Sequence, residues 1–446
     1  MILERLVYAN LLEWKASTNR KPLLVRGARQ VGKTTVVRNF AKEFNAFIEL
    51  NLERETDKNL FKLNDAEKVL QAACLQKGVI YSEKKSTLLF IDEIQESPEA
   101  VGLLRFFYED LPGVYVIAAG SLLEFALHKV PDFPVGRVEY LFMHPLNFEE
   151  FLAAKNNLAA LELYNSVPMP DYGHQVLLNL FHEYLIIGGM PEIVSAYVET
   201  NNLSALPKIY SRLWQAYKDD IDKYTNTDTE RRIIRHVFDT VPFAADRIKF
   251  EGFGNSNYRS REVGEALQTL EMARLLQLIY PTTQMQPPIM PDLRKRPRIQ
   301  LLDTGLLNNL LTIQGEMLHI TDFNDYHRGR IIQHVINQEF MSLYTSVYYK
   351  PNFWVREEGA SNSEIDLVFR FRNNIIPIEI KSGKDGKLRS LHQFIERSGQ
   401  HFAVRLYAGN ISVEQTKTPT GVPYTLINLP YYLTAKIEKY LECFIS

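Results

Sequence analysis

The sequence predicts an α/β protein. It opens with a parallel sheet covered by helices, continues through a helical and winged-helix-like middle, and closes with a second α/β domain. Three observations carry this. Short apolar runs alternate with helical spacing as far as Phe151; a helix–strand–loop–strand order ends the middle segment; and a hairpin with period-two alternation lies near the end. The expected boundaries are 1–151, 152–321 and 322–446, three domains for 446 residues at about 150 residues each.

Taken in order, Leu23-Leu24-Val25 reads as a buried strand. The stretch from Thr34 to Phe44 reads as a helix, with Val37, Phe40, Ala41 and Phe44 on one face. Further strands are expected at Leu88–Ile91, Tyr115–Ala119 and Val138–Phe142, runs apolar enough to be buried on both faces. In the middle, Gly188-Gly189-Met190-Pro191 stops a helix. Glu262–Ala273 is a helix, Leu275–Tyr280 a strand, Pro287–Pro297 a basic loop and Ile299–Leu302 a strand, the order of a winged-helix unit. In the last part Ile332, Val335, Ile336, Glu339 and Leu343 share a helical face. Glu364–Phe369 and Ile375–Lys381 then pair around Arg372-Asn373-Asn374. A helix at Leu388–Arg397, strands at Ala403–Tyr407 and Thr425–Ile427, and a final helix complete the chain, without internal repeats.

Composition narrows the function classes. The 51 basic and 53 acidic side chains leave a net charge of −2, which excludes a polycation but allows a local basic surface. With only Cys74 and Cys443, neither a disulfide framework nor a multi-cysteine zinc site is available. Met1–Arg20 has no uninterrupted apolar core, and no apolar run reaches the ~18 residues that span a bilayer. The expectation is a soluble, cytoplasmic protein with no membrane partner.

The strongest chemical signal is Gly27-Ala28-Arg29-Gln30-Val31-Gly32-Lys33-Thr34, followed by Thr35: a P-loop between a strand and a helix. Its glycines let the backbone wrap phosphates, Lys33 brings a compact charge to the β and γ oxygens, and the Thr34 hydroxyl can ligate Mg²⁺. Leu88-Leu89-Phe90-Ile91-Asp92-Glu93 is an apolar strand ending in two carboxylates, Asp92 to hold the metal and Glu93 to orient or deprotonate water. Ser121 ends a neighbouring strand, placed to contact the γ-phosphate or the water. Arg137 is a candidate arginine on the transferring phosphate, in its own site, in a neighbour's, or only as an ion-pair partner. No N-K-x-D string is present, so ATP with Mg²⁺ is expected rather than GTP.

A second constellation is Glu364-Ile365-Asp366 with Glu379-Ile380-Lys381. Residues two apart on a strand share a face, so Glu379 and Lys381 project together and the hairpin brings Asp366 near them. Asp366 and Glu379, with Glu339 from the preceding helix, are candidates for a second metal site, and Lys381 for positioning water. This arrangement resembles metal-dependent nucleases of the restriction-endonuclease-like fold. Arg294, Lys295, Arg296 and Arg298 cluster in the wing, a candidate phosphate surface for DNA or RNA, with Lys384, Lys387 and Arg389 further along.

Together these motifs resemble a prokaryotic ATPase family that joins an AAA-type P-loop domain to a C-terminal domain of unknown function. The likeness also runs through Ala119-Gly120-Ser121, Gly136-Arg137 before Pro145 and Phe148, Gly188–Pro191 and Leu302-Asp303-Thr304-Gly305-Leu306. It implies an ATPase with a winged-helix-like middle and a nuclease-like end. The family often carries Glu four residues after the helix-opening glycine; here Gln333 follows Gly329, which weakens metal binding unless Glu339 compensates. The leading expectation is a Mg²⁺-dependent ATPase whose nucleotide state repositions the later domains on nucleic acid. A nucleotide-controlled protein-interaction module with an inactive nuclease-like fold is the alternative, and ATP-coupled cutting a third. Assembly as a homo-oligomer is compatible with each.

Overall fold

Residues 3–121, 136–225, 227–244, 246–317, 325–358, 361–383 and 388–445 are described by a computed structural model of the chain. They form two compact units. The first holds Met1–His144 with Met272–Arg274 and Tyr344–Tyr348; the second holds Pro145–Glu271, Leu275–Leu343 and Tyr349–Ser446.

The first unit is built on a parallel sheet of β1 (Leu23–Arg26), β2 (Ala46–Asn51), β3 (Thr87–Asp92), β4 (Tyr115–Gly120) and β5 (Glu139–Phe142), in the order β2-β3-β4-β1-β5. Every residue of β3 is buried, as a strand covered on both faces requires. Leu24, Ile48, Leu50, Leu89, Ile91 and Ala118 form one core with Leu70, Leu104 and Phe107 of the flanking helices Ala66–Lys77 and Pro98–Glu109. The latter helix starts cleanly because Ser97 accepts from the Ala100 amide and Pro98 occupies its first position. All five strands run the same way, so β1, β3 and β4 deliver their last residues to one edge.

In the second unit, residues 260–271 are helical, and β6 (Leu276–Ile279) pairs antiparallel with β8 (Arg298–Leu301). Between them β7 (Pro281–Thr282) joins a seven-stranded sheet with β9 (Asn352–Glu358), β10 (Ser361–Phe371), β11 (Asn374–Ile380), β12 (Phe402–Tyr407), β13 (Ser412–Lys417) and β14 (Pro423–Pro430), ordered β13-β14-β12-β11-β10-β9-β7. The boundary expected at 321 falls inside this unit, because β7, from the middle of the chain, pairs parallel with β9 from its last third. The β10–β11 hairpin closes Phe371 on Asn374, with Arg372 at φ 53° in the turn. Trp354, Ile365, Val368, Ile375, Leu391, Phe394 and Leu426 fill the core beneath it. Among the described residues, no helix is long and apolar enough to cross a membrane.

Candidate nucleotide site

Where β1 ends, the chain must turn sharply and pass close to β5. A Cβ on Gly27 would lie 2.4 Å from the Met143 carbonyl oxygen, so only glycine fits. Gln30 (φ 64°) and Gly32 (φ 96°) take left-handed conformations that wrap the loop, while Ala28 and Val31 are buried beneath it. Arg29 pairs with Glu53 at 3.6 Å, and Gln30 and Thr35 are exposed. The helix Lys33–Phe40 follows, with no acidic side chain in its first turn to compete for its amides.

Lys33 is 7% exposed, and its Nζ donates to the carbonyls of Gly27 (3.0 Å) and Ala28 (2.8 Å). Burial lowers its pKa to about 8, against the pull of Glu93 and Asp92, so it remains cationic at neutral pH. The decisive contact lies beside it: Thr34 Oγ1 donates to Asp92 Oδ2 at 2.9 Å, joining residues 58 positions apart. Asp92 is 5% exposed. Burial raises its pKa, the Thr34 hydrogen bond opposes the rise, and its Oδ1 accepts from the Glu93 amide at 3.1 Å. A hydroxyl and a carboxylate converging beside a buried lysine are the hard oxygen donors that Mg²⁺ prefers. Glu93 sits at φ 53°, ψ 46°, unusual for a side chain of its size, and Gln95 Nε2 donates to its Oε2 at 2.6 Å. Ser121 is 7% exposed and follows β4, whose Gly120 lies opposite Arg26, on the same edge as Gly27 and Asp92.

Residues 19–152 match an AAA domain. Around this AAA domain the later chain matches two domains of unknown function, DUF8612 over residues 178–316 and DUF4143 over residues 328–429. No curated protein matches the sequence. Among solved structures, the Walker-type ATPase PABY2304 of Pyrococcus abyssi is 14% identical, covering 70% of this chain and 96% of that one, with a TM-score of 0.46. A signal-transduction ATPase with a tetratricopeptide repeat sensor, PH0952 of Pyrococcus horikoshii, is 13% identical over 74% of this chain and 47% of that one, at a TM-score of 0.27. The Hsp104–ADP complex of S. cerevisiae is 14% identical over 60% and 38%, at 0.29.

The site also uses residues that motif reading misses. Gln95 orients Glu93, and Arg5 braces the P-loop by donating to the carbonyls of Val31 (2.7 Å) and His144 (2.6 Å). Gln95 lies close enough in sequence to be suspected, whereas nothing in the sequence ties Arg5 to the loop. Of the three roles open to Arg137, the structure shows the ion pair. The residue precedes β5, whose Glu139 lies opposite Leu23, so it sits at the amino edge of the sheet, a strand length of about 13 Å from the P-loop edge. There it is exposed and donates to Glu109 at 2.7 Å, an ion pair away from its own nucleotide site.

In the second unit the hairpin does bring Asp366, Glu379 and Lys381 together. Asp366 Oδ2 accepts from the Ile380 amide at 2.9 Å, and Lys381 Nζ donates to Glu379 Oε1 at 2.7 Å. Burial pushes both carboxyls upward, helped by the charge of Asp246 at Asp366 and by that of Asp366 at Glu379. Glu339 is not part of this group. Its Oε1 accepts from the Phe148 amide and the Tyr184 hydroxyl, both at 3.0 Å, because its helical face packs on other helices rather than on the hairpin. Arg298 is also not a free wing cation. It is 7% exposed, pairs with Glu364 and, at 3.2 Å, with Asp246, and donates to the Asp366 carbonyl at 3.3 Å. Arg294 is held by Asp292 at 3.0 Å; Arg296 is exposed and Lys295 partly so. Arg389 is exposed, while Lys384 and Lys387 lie outside the described residues. Among the described residues, no three His, Cys, Asp or Glu side chains converge as a metal set. One oxygen of each carboxylate is engaged by an internal donor, the Arg298 guanidinium lies alongside, and Glu379 Oε2 is buried without a hydrogen-bond partner.

Proposed function

We propose that the chain hydrolyses ATP at the AAA domain, and that its nucleotide state repositions the winged-helix-like and nuclease-like parts, acting on nucleic acid. One observation carries the reading: the Thr34–Asp92 hydrogen bond beside buried Lys33. In this reading the amides of residues 27–34 bind the β and γ phosphates and Lys33 gives up its loop carbonyls to them. Thr34 and Asp92 hold Mg²⁺, which supplies positive charge to the phosphate oxygens. Glu93, held by Gln95, takes a proton from the attacking water, and Ser121 contacts the γ-phosphate or that water. The nucleic-acid part rests on Lys295 and Arg296, with Arg294, at the tip of the wing.

A test measures phosphate release with and without DNA. Lys33→Ala is expected to fall to background, and Glu93→Gln to lose about 10²–10⁴ in turnover while still binding ATP. Equal rates in wild type and Lys33→Ala overturn the hydrolytic reading.

The ion-paired hairpin favours a second reading for the C-terminal part: a nuclease-like scaffold without cutting activity, through which the nucleotide state controls partner binding. Arg298 against Glu364 and Asp366, together with Gln333 in place of a carboxylate, supports it. Metal-dependent cleavage abolished by Lys381→Ala would displace this reading.

A further inference from the structure

The tip of the wing does not stand alone. Ile248 donates from its amide to the Pro297 carbonyl at 2.9 Å, and Arg247 Nε donates to the Arg296 carbonyl at 3.3 Å, so segments 246–251 and 293–297 run side by side. Between them lies a cavity of about 390 Å³. Four of its lining side chains are cationic, Lys249, Arg294, Lys295 and Arg296, against the single carboxylate of Glu251. Two are aromatic, Phe250 and Tyr280, and Ser260 adds a hydroxyl. Lys249 and Arg296 are exposed, and Asp292 fixes the Arg294 guanidinium through two hydrogen bonds of 3.0 and 3.1 Å.

Cations attract any phosphate surface, but a flat duplex backbone does not require a hollow with rings in it. Concavity, positive charge and aromatic faces together match a ligand that presents a phosphate and a planar base at once. The volume suits one such unit rather than a double helix.

We infer that this cavity binds a nucleoside phosphate, either free or as one unit of a single strand, with the phosphate on Lys249 and Arg296 and the base against Tyr280. The inference deepens the nucleic-acid part of the proposed function and is independent of the P-loop.

The test is fluorescence anisotropy of a labelled oligothymidylate on the full chain, with no ATP or ADP added and with thymidine 5′-monophosphate as competitor. Lys249→Ala and Arg296→Ala are expected to weaken binding about tenfold and to lower the salt slope by about 0.7 each. Tyr280→Leu is expected to weaken binding about tenfold with the salt slope unchanged, and Tyr280→Phe to bind like wild type, which separates loss of the ring from loss of folding. Displacement by the mononucleotide as readily as by the oligomer assigns the free nucleotide; displacement by the oligomer alone assigns the strand. If wild type binds the oligomer and all four variants bind it equally, the cavity inference fails while the nucleic-acid reading stands. If wild type binds neither oligomer nor mononucleotide, both fail.

Discussion

Glu93 holds a backbone conformation that costs a large L-residue about 1–2 kcal/mol, and it holds it directly after a fully buried strand. Asparagine tolerates that region better. Glu93→Asn is therefore expected to match or exceed wild-type stability in urea, by up to about 1 kcal/mol, while losing ATP hydrolysis; a clear fall in stability would mean that the conformation is not strained. Glu339 is a different kind of buried acid. Burial raises its pKa from 4.5 to about 8, with Glu149 and Glu150 adding repulsion against the hydrogen bond from Tyr184. A group raised in the folded state binds more protons there than in the unfolded chain. Its contribution is thus complete below pH 4.5 and is lost as pH rises through about 8. Glu339→Gln keeps an acceptor for Phe148 and Tyr184 without titrating, so its stability curve should fall less steeply than wild type across that window. Parallel curves would place the titration elsewhere. The P-loop residues and Asp92 were legible because their chemistry lies in contiguous strings. The surroundings of Glu339 were not: helical periodicity says that it faces inward but not what it meets.

At the scale of elements, the strings Gly188–Pro191 and Leu302–Leu306 turn out to be two halves of one joint. Asp303, fully buried, caps the helix Thr304–Leu310 through the Leu306 amide (2.9 Å) and also accepts from the Gly189 amide at 2.6 Å. A Cβ on Gly305 would stand 1.9 Å from the Ile187 carbonyl oxygen, and one on Gly189 would stand 2.0 Å from that of Leu146. Backbone atoms cannot give way as a flexible side chain can. Gly305→Ala and Gly189→Ala are expected to cost more than about 3 kcal/mol, or to prevent folding, whereas Gly315→Ala, with nothing within 4 Å, should be near neutral. Denaturation midpoints for the three variants check this, and a mild Gly305→Ala would show that the joint can open. The sequence marks Gly188-Gly189 as a helix stop, which it is, since the helix His174–Ile187 ends there. It cannot reveal a partner 114 residues away. The same limit hid Arg298, whose charge reads as solvated until Glu364, 66 residues on, is folded against it. Strand β7 is too short and β13 too polar to stand out by pattern, and both are positioned by the neighbours they pair with.

At the scale of the whole molecule, the chain has two compact units, and only the first carries the P-loop. Each unit has its own sheet and buries its own apolar side chains, so calorimetry of the nucleotide-free protein should resolve two unfolding transitions. A ligand stabilises what it binds by RT ln(1 + [L]/Kd), about 2.7 kcal/mol at a hundredfold excess over Kd. ATP with Mg²⁺ should therefore raise the transition of the first unit, and Lys33→Ala should abolish the rise. The second transition tests the proposed repositioning. If nucleotide state alters the second unit, its transition must shift on ATP addition, or merge with the first, because a ligand changes a distant equilibrium only through a difference in coupling between states. A second transition that stays fixed while the first rises would leave a nucleotide-binding AAA domain intact and remove the coupling on which the larger proposal depends.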